Sequence, residues 1–201
     1  MTTIISQENT NGALTAIFSS KARVAVLRVF MLDPSRGLYQ RQIEAATGLP
    51  IRAVQRELER LTETGLLYRW VDGNRTYYQV NTEFDLYPEL RAIFLKKASP
   101  EECLRGHLAV HGTVRLSLLC EAERRALVVT EDGFIPELET PGVFDLEWMD
   151  EQTFSSTLEK TPEKLESYLR HGIDLLGRRE DLLWRRIEAA GYTVERGKGV
   201  P

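Results

Sequence analysis

Two arginines and a glutamine are spaced so that one face of a helix would carry all three. Arg52, Gln55 and Arg56 stand at positions i, i+3 and i+4, and residues with this spacing are neighbours on a helical surface. Arginine can donate two hydrogen bonds to O6 and N7 of guanine, and glutamine can pair with N6 and N7 of adenine. These residue types therefore predict a surface that reads base edges in the major groove of DNA.

The apolar residues of the same segment predict the helix that would position this surface. Ile51, Val54, Leu58 and Leu61 are spaced 3, 4 and 3 apart, which gives one buried stripe on a helix over residues 50–64. The three polar side chains then face outward in its first two turns, where a recognition helix meets base edges. An ordinary solvated face, with Glu57 and Glu59 as ion-pair partners of the arginines, is the alternative.

The neighbouring segments predict the support for this helix. A buried helix is capped by Ser19 or Ser20, a short helix ends at Gly48, and two β-prone runs flank the turn over residues 72–74. The predicted elements are helices over 21–32, 40–47, 50–64 and 85–97 and strands over 66–71 and 75–80. This order is that of a winged helix-turn-helix domain, here over residues 14–98 after a flexible arm over 1–13.

Further residues of this domain are candidates for DNA contact. Gln40, Arg41 and Thr47 on the short helix could reach phosphate oxygens, and Asn74 and Arg75 at the hairpin tip could follow a phosphate strand or enter the minor groove. The predicted DNA-contacting residues are Gln40, Arg41, Thr47, Ile51, Arg52, Gln55, Arg56, Asn74 and Arg75.

Composition and charge agree with two modules of different character. The chain has 201 residues, of which 42% are hydrophobic and 28% are charged, as in soluble globular proteins. Residues 1–98 hold 13 Lys and Arg against 10 Asp and Glu, whereas residues 99–201 hold 13 against 20. A polyanion would be steered to the first half and repelled by the second.

The N-terminal residues, the lack of a long apolar run and the number of cysteines together predict a cytoplasmic location. The first eleven residues are polar and do not have the basic and apolar regions of a signal sequence. The sequence also contains no run of about 20 uncharged apolar residues, which a membrane span would require. Two cysteines, Cys103 and Cys120, cannot form a disulfide scaffold.

The second half mixes helices and strands, so the fold class expected for the whole chain is α+β. Its elements are predicted as helices over 100–110, 151–158, 162–170 and 180–190 and strands over 114–119, 126–130 and 143–148. We assign residues 99–192 to a small mixed α/β domain and expect a mobile tail over 193–201.

Several of these runs resemble a known group of regulators. Residues 47–67 (TGLPIRAVQRELERLTETGLL), 73–78 (GNRTYY) and 87–91 (YPELR) resemble the ArsR/MarR-type winged-helix domain of bacterial and archaeal regulators, and most of all those fused to a minimal nucleotidyltransferase domain. Residues 144–154 and 169–177 resemble the closing strand and helices of that second unit. The resemblance implies a DNA-binding transcriptional regulator, and we expect a homodimer on a two-fold site.

The residues that would carry nucleotidyl transfer depart from this resemblance. The family uses a Gly-Ser turn for the triphosphate, and an Asp-x-Asp pair with a third acid for two magnesium ions. This chain has no Gly-Ser and no Asp-x-Asp; Glu123 and Arg125 fall where the pair would lie, and Asp145 or Glu147 where the third acid would lie. We therefore expect no enzyme and no cofactor, with the second domain serving dimerisation, partner binding or effector sensing.

Cys103, His107 and His111 form the one candidate metal set. They stand at i, i+4 and i+8, and sulfur with imidazole suits zinc or copper. That spacing spreads the three groups over about 12 Å of helix axis, which one tetrahedral ion cannot easily span. We expect packing roles and no metal site.

Two alternatives to a DNA-binding regulator stay open from the sequence. One is a protein-interaction module that does not use DNA, and the other is an active nucleotidyltransferase. The expected homodimer could use the apolar face of the helix over 85–97, which carries Leu86, Leu90, Ile93 and Phe94, or that face could pack within the monomer.

Overall fold

The computed structural model describes residues 7–138 and 142–200. It is a mixed α+β structure with two β-sheets, which confirms the expected fold class. The chain divides into two compact units, the first ending at Gly106 and the second spanning residues 107–200.

Among the described residues, the first unit contains one sheet and six helices, of which the last belongs to it only in part. They are α1 (Gln7–Phe18), α2 (Lys21–Leu32), β1 (Leu38–Tyr39), α3 (Gln40–Thr47), α4 (Ile51–Glu63), β2 (Leu67–Asp72), β3 (Arg75–Val80), α5 (Tyr87–Lys96) and α6 (Pro100–Ala109). The strand order is β1-β3-β2, with both pairings antiparallel. Helices α2, α3 and α4 and the β2–β3 hairpin confirm the predicted elements to within about one residue at each end.

Local sequence explains where these elements begin and end. The Ser20 hydroxyl accepts a hydrogen bond from the Arg23 backbone N–H and so caps α2. Gly48 ends α3 with φ +66°, and Gly73 turns the hairpin with φ +57°, a region that glycine enters without steric cost. Helix α5 begins at Tyr87 after Leu86, two residues later than the predicted start at residue 85.

The predicted arm over residues 1–13 is wrong from residue 7 onward. Helix α1 starts at Gln7, and residues 1–6 lie outside the described part of the chain. Leu14 is only 2% exposed and Phe18 stacks against Phe94 of α5, with 5.9 Å between ring centroids. The polar residues at the start of this segment gave no indication of a helix, because the helix is stabilised by contacts with residues distant in the sequence, such as Phe94.

Ion pairing places the start of α6 in the first unit rather than in a domain beginning at residue 99. Ser99 and Glu102 form reciprocal side chain to backbone hydrogen bonds, which is a capping box. The Glu102 carboxylate also accepts a hydrogen bond from Arg28 of α2 at 2.6 Å. Arg91 of α5 donates to the Gly106 carbonyl at 2.8 Å.

The apolar face that the sequence proposed as a dimer seam divides in two. Phe94 is fully buried and Leu90 packs against the same core cluster. Leu86 is 58% and Ile93 41% exposed. Half of the face thus stabilises the unit itself.

The second unit is built on a five-stranded mixed sheet. Its elements after α6 are β4 (Val114–Cys120), β5 (Arg125–Thr130), β6 (Asp145–Asp150), α7 (Glu151–Lys160), a 3₁₀ turn (Pro162–Lys164), α8 (Glu166–His171), β7 (Ile173–Asp174), α9 (Leu182–Ala189) and β8 (Glu195–Arg196). The strand order is β6-β5-β4-β7-β8; β5 pairs antiparallel with β4 and parallel with β6. Leucines and valines of β4 and β5 form a core with Phe154, Tyr168 and Trp184.

The tail predicted over 193–201 instead contributes a two-residue strand to this sheet, and residue 201 lies outside the described part of the chain. Strand β8 pairs with β7, and Val194 is 5% exposed. The guanidinium of Arg179 donates to the Val194 carbonyl at 2.7 Å and to the buried Asp174 carboxylate at 2.8 Å, and it stacks on the Trp184 ring at 3.6 Å. These contacts stabilise the last strand. The tail contains no hydrophobic run from which a strand could be predicted.

Among the described helices, none combines the length and the apolar character that crossing a membrane requires.

Candidate nucleic-acid interface

Helix α4 presents its polar residues on one side and its apolar residues on the other, as predicted. Val54 and Leu58 are completely buried. Arg52 and Arg56 are exposed, and Gln55 is half-buried. The Cα atoms of the two arginines are about 6 Å apart along the helix axis, which is close to two base-pair steps of DNA.

The carboxylate of Glu57 is occupied elsewhere. It is 5% exposed in its side chain, pairs with Arg23 of α2 at 3.0 Å and with Arg60 at 3.6 Å, and accepts a hydrogen bond from the Ser20 hydroxyl. Among the side chains that the structure describes, no carboxylate lies within ion-pair distance of Arg52 or Arg56. Glu57 therefore does not neutralise this face, and the ion pair between Glu57 and these arginines that the sequence allowed is wrong.

Gln55 is joined to the rest of the unit by a chain of hydrogen bonds. Its Nε2 donates to Oε1 of Gln40 at 3.1 Å, and Nε2 of Gln40 donates to the hydroxyl of Tyr78 at 3.4 Å. The chain thus connects α4, the first residue of α3 and strand β3. Gln40 was expected to face phosphate, and Tyr78 carried no signal in the sequence.

The other α3 candidates differ in what they can offer a phosphate. Arg41 is exposed, with no ion pair among the described residues. The hydroxyl of Thr47 donates to the Ile43 carbonyl at 2.7 Å and accepts from the Leu49 N–H at 3.3 Å. Its hydrogen is therefore already used. Ile51, the first residue of α4, is half-buried.

Aromatic rings hold the arginine of the hairpin. The guanidinium of Arg75 lies 4.6 Å from the centre of the Tyr39 ring of β1, a cation–π contact. Trp70 stacks on Tyr77 with 5.6 Å between ring centroids. Asn74 remains exposed at the turn. The sequence identified Arg75 but not the Tyr39 ring that positions it, because the two residues are distant in the chain.

Glu123 and Glu147 in the second unit bind neighbouring side chains. Glu123 pairs with Arg125 and accepts a 2.6 Å hydrogen bond from the Ser167 hydroxyl, while Glu147 accepts one from the Tyr168 hydroxyl at 2.9 Å. The bonds from Ser167 and Arg125 lower the pKa of Glu123. Burial, and then the bond to Glu147, raise the pKa of Tyr168. No motif in the sequence marks Ser167 or Tyr168.

The acidic, histidine and cysteine side chains that the structure describes do not gather into a metal-binding set. Within residues 7–138 and 142–200, no three of them lie where one ion could bind them together. Helix α6 ends at Ala109, so His111 lies beyond the helix on which the candidate set with Cys103 and His107 depended.

Comparison of the chain with family models, with curated proteins and with solved structures finds no match. The case for a function therefore depends on the side chains and contacts described above.

Proposed function

We propose that this protein is a DNA-binding transcriptional regulator and that its first unit is a winged helix-turn-helix. Helices α3 and α4 form the helix-turn-helix, and the β2–β3 hairpin forms the wing. One observation carries this proposal. On the face of α4, Arg52 and Arg56 are exposed and have no ion-pair partner among the described residues, whereas the opposite side of the helix is buried.

Each part of this arrangement has a role in the proposed complex. The major groove admits one α-helix, and the buried stripe of α4 packs in a core that includes Val26 and Phe30 of α2, so the helix is held rigidly. Arg52 and Arg56 donate to guanine edges, and Gln55 pairs with adenine. Arg41, Asn74 and Arg75 contact the sugar-phosphate backbone. We further propose a homodimer on a two-fold site, with a non-catalytic second unit for dimerisation, partner binding or effector sensing.

The test is binding to duplexes that the full chain selects from a random library. We expect Arg52→Ala and Arg56→Ala each to weaken binding to the selected duplex by about 1–3 kcal/mol and to relax preference at one base pair. Arg185→Ala is the matched control, because it removes the same charge from an exposed position on α9. Selection of no sequence, or equal effects of all three variants, would rule out base reading by α4.

The hairpin supports a second candidate, a protein-interaction module that does not use DNA. Strand β2 exposes Tyr68 by 54%, Trp70 by 40% and Val71 by 65%, and aromatic residues are enriched at protein interfaces. This candidate predicts that Arg75→Ala leaves retention on DNA at low salt unchanged. The wing proposal predicts weaker binding to all sequences and a salt dependence reduced by about one phosphate contact.

A further inference from the structure

The hydrogen-bonded chain from Gln55 through Gln40 to Tyr78 links a candidate base-reading group to the core. Tyr78 is 4% exposed and belongs to the core cluster of the first unit. Its hydroxyl accepts from Gln40, and Gln40 in turn accepts from Gln55. The amide of Gln40 is thereby given an orientation, because its oxygen accepts from Gln55 and its nitrogen donates to Tyr78. The amide of Gln55 is held through its nitrogen alone.

The hydrogen bond to Gln40 determines which donor and acceptor of Gln55 remain for a base. A carboxamide carries two N–H donors and one carbonyl acceptor. Donation of one N–H to Gln40 leaves the second N–H and the oxygen Oε1 without a described partner. One donor beside one acceptor is the pattern that N7 and N6 of adenine complement. A glutamine without this restraint could rotate its amide and accept other base edges.

We propose that Gln40 is a positioning residue that fixes the carboxamide of Gln55 for adenine, with Tyr78 as its anchor. The inference rests on the proposed function and adds to it the residues that hold Gln55 in place for adenine. From the sequence, Gln40 was expected to contact phosphate; here its main role is to position Gln55. The protein then requires an A·T pair at the one position of its site that Gln55 faces.

The experiment compares the base preference of the full chain and its variants by competition between duplexes that differ at one position. Gln55→Ala identifies the position, where the wild-type preference for A·T is expected to be about 5- to 150-fold. Gln40→Ala should reduce that preference to below about threefold and leave the other positions unchanged. Tyr78→Phe, which keeps the ring in the core, should reduce it by about two- to fivefold, since it removes one hydrogen bond.

Two further variants separate positioning from other effects. Gln40→Glu keeps an acceptor for Gln55 and can accept from Tyr78, so it should preserve the A·T preference while its negative charge weakens binding to every duplex. Tyr77→Phe removes a phenolic hydroxyl from the adjacent residue, which stacks on Trp70, and should change nothing.

The outcomes distinguish a failure of this inference from a failure of the proposed DNA-binding function. If Gln40→Ala weakens binding to all duplexes equally and leaves the A·T preference intact, Gln40 is only a phosphate contact and the inference fails. If Gln55→Ala alters no position, the chain of hydrogen bonds positions nothing and the inference fails as well. Either result leaves DNA binding standing as long as Arg52→Ala or Arg56→Ala weakens it.

Discussion

Removing the carboxylate of Glu57 should loosen helix α4 from α2. The side chain of Glu57 is 5% exposed and that of Arg23 is 30% exposed. Breaking a fully buried ion pair costs about 3–5 kcal/mol, mostly because the remaining charge is left buried. Glu57→Ala leaves the partly solvated Arg23, so we expect a loss of about 2 kcal/mol. Arg23→Ala leaves the more deeply buried carboxylate, with Arg60 as its remaining ion-pair partner at 3.6 Å, and should cost about 3 kcal/mol.

Native-state hydrogen exchange of the α4 amides measures this loss within the first unit. A loss of 2–3 kcal/mol corresponds to exchange that is about 30- to 150-fold faster. Glu59→Ala is the matched control, because Glu59 is an exposed acid on the same helix and its removal should change stability by less than about 0.5 kcal/mol. Equal exchange in Glu57→Ala and Glu59→Ala would refute the reasoning that this buried pair holds α4.

Two predictions concern the second unit. A carboxyl NMR titration should place the pKa of Glu123 below its ordinary value, because Ser167 and Arg125 bond to the charged form; this stabilisation is present above the ordinary pKa and is lost as pH falls through the folded pKa. Ser167→Ala should raise that pKa, and an unchanged titration would contradict the hydrogen bond. The purified protein should not transfer nucleotides from ATP with magnesium, and radiolabel incorporation that depends on Glu123 and Asp145 would overturn this expectation.

Periodicity was sufficient to predict the elements that carry the candidate site. The 3-4-3 spacing of Ile51, Val54, Leu58 and Leu61 sets the orientation of α4 whatever packs against it. The hairpin followed in the same way from two β-prone runs and a glycine turn. These signals are local, and local signals are those that a single sequence can carry.

Contacts between distant residues account for what the sequence missed. Glu57 looks like one more charge on a solvated helix until Arg23, thirty-four residues earlier, is placed beside it. Strands β1, β7 and β8 have two residues each, too few to show an alternating pattern. The link from Gln55 to Tyr78 depends on a packing arrangement that neither residue reveals in its own segment.

Methylation of guanine N7 in the selected duplex tests the central claim most directly, because this atom lies in the major groove and accepts from arginine. The account predicts that the protein shields at least two guanines from dimethyl sulfate. Shielding of one should disappear in Arg52→Ala and shielding of another in Arg56→Ala. A bound complex in which no guanine is shielded, or in which both variants keep the wild-type pattern, would contradict the placement of α4 in the groove.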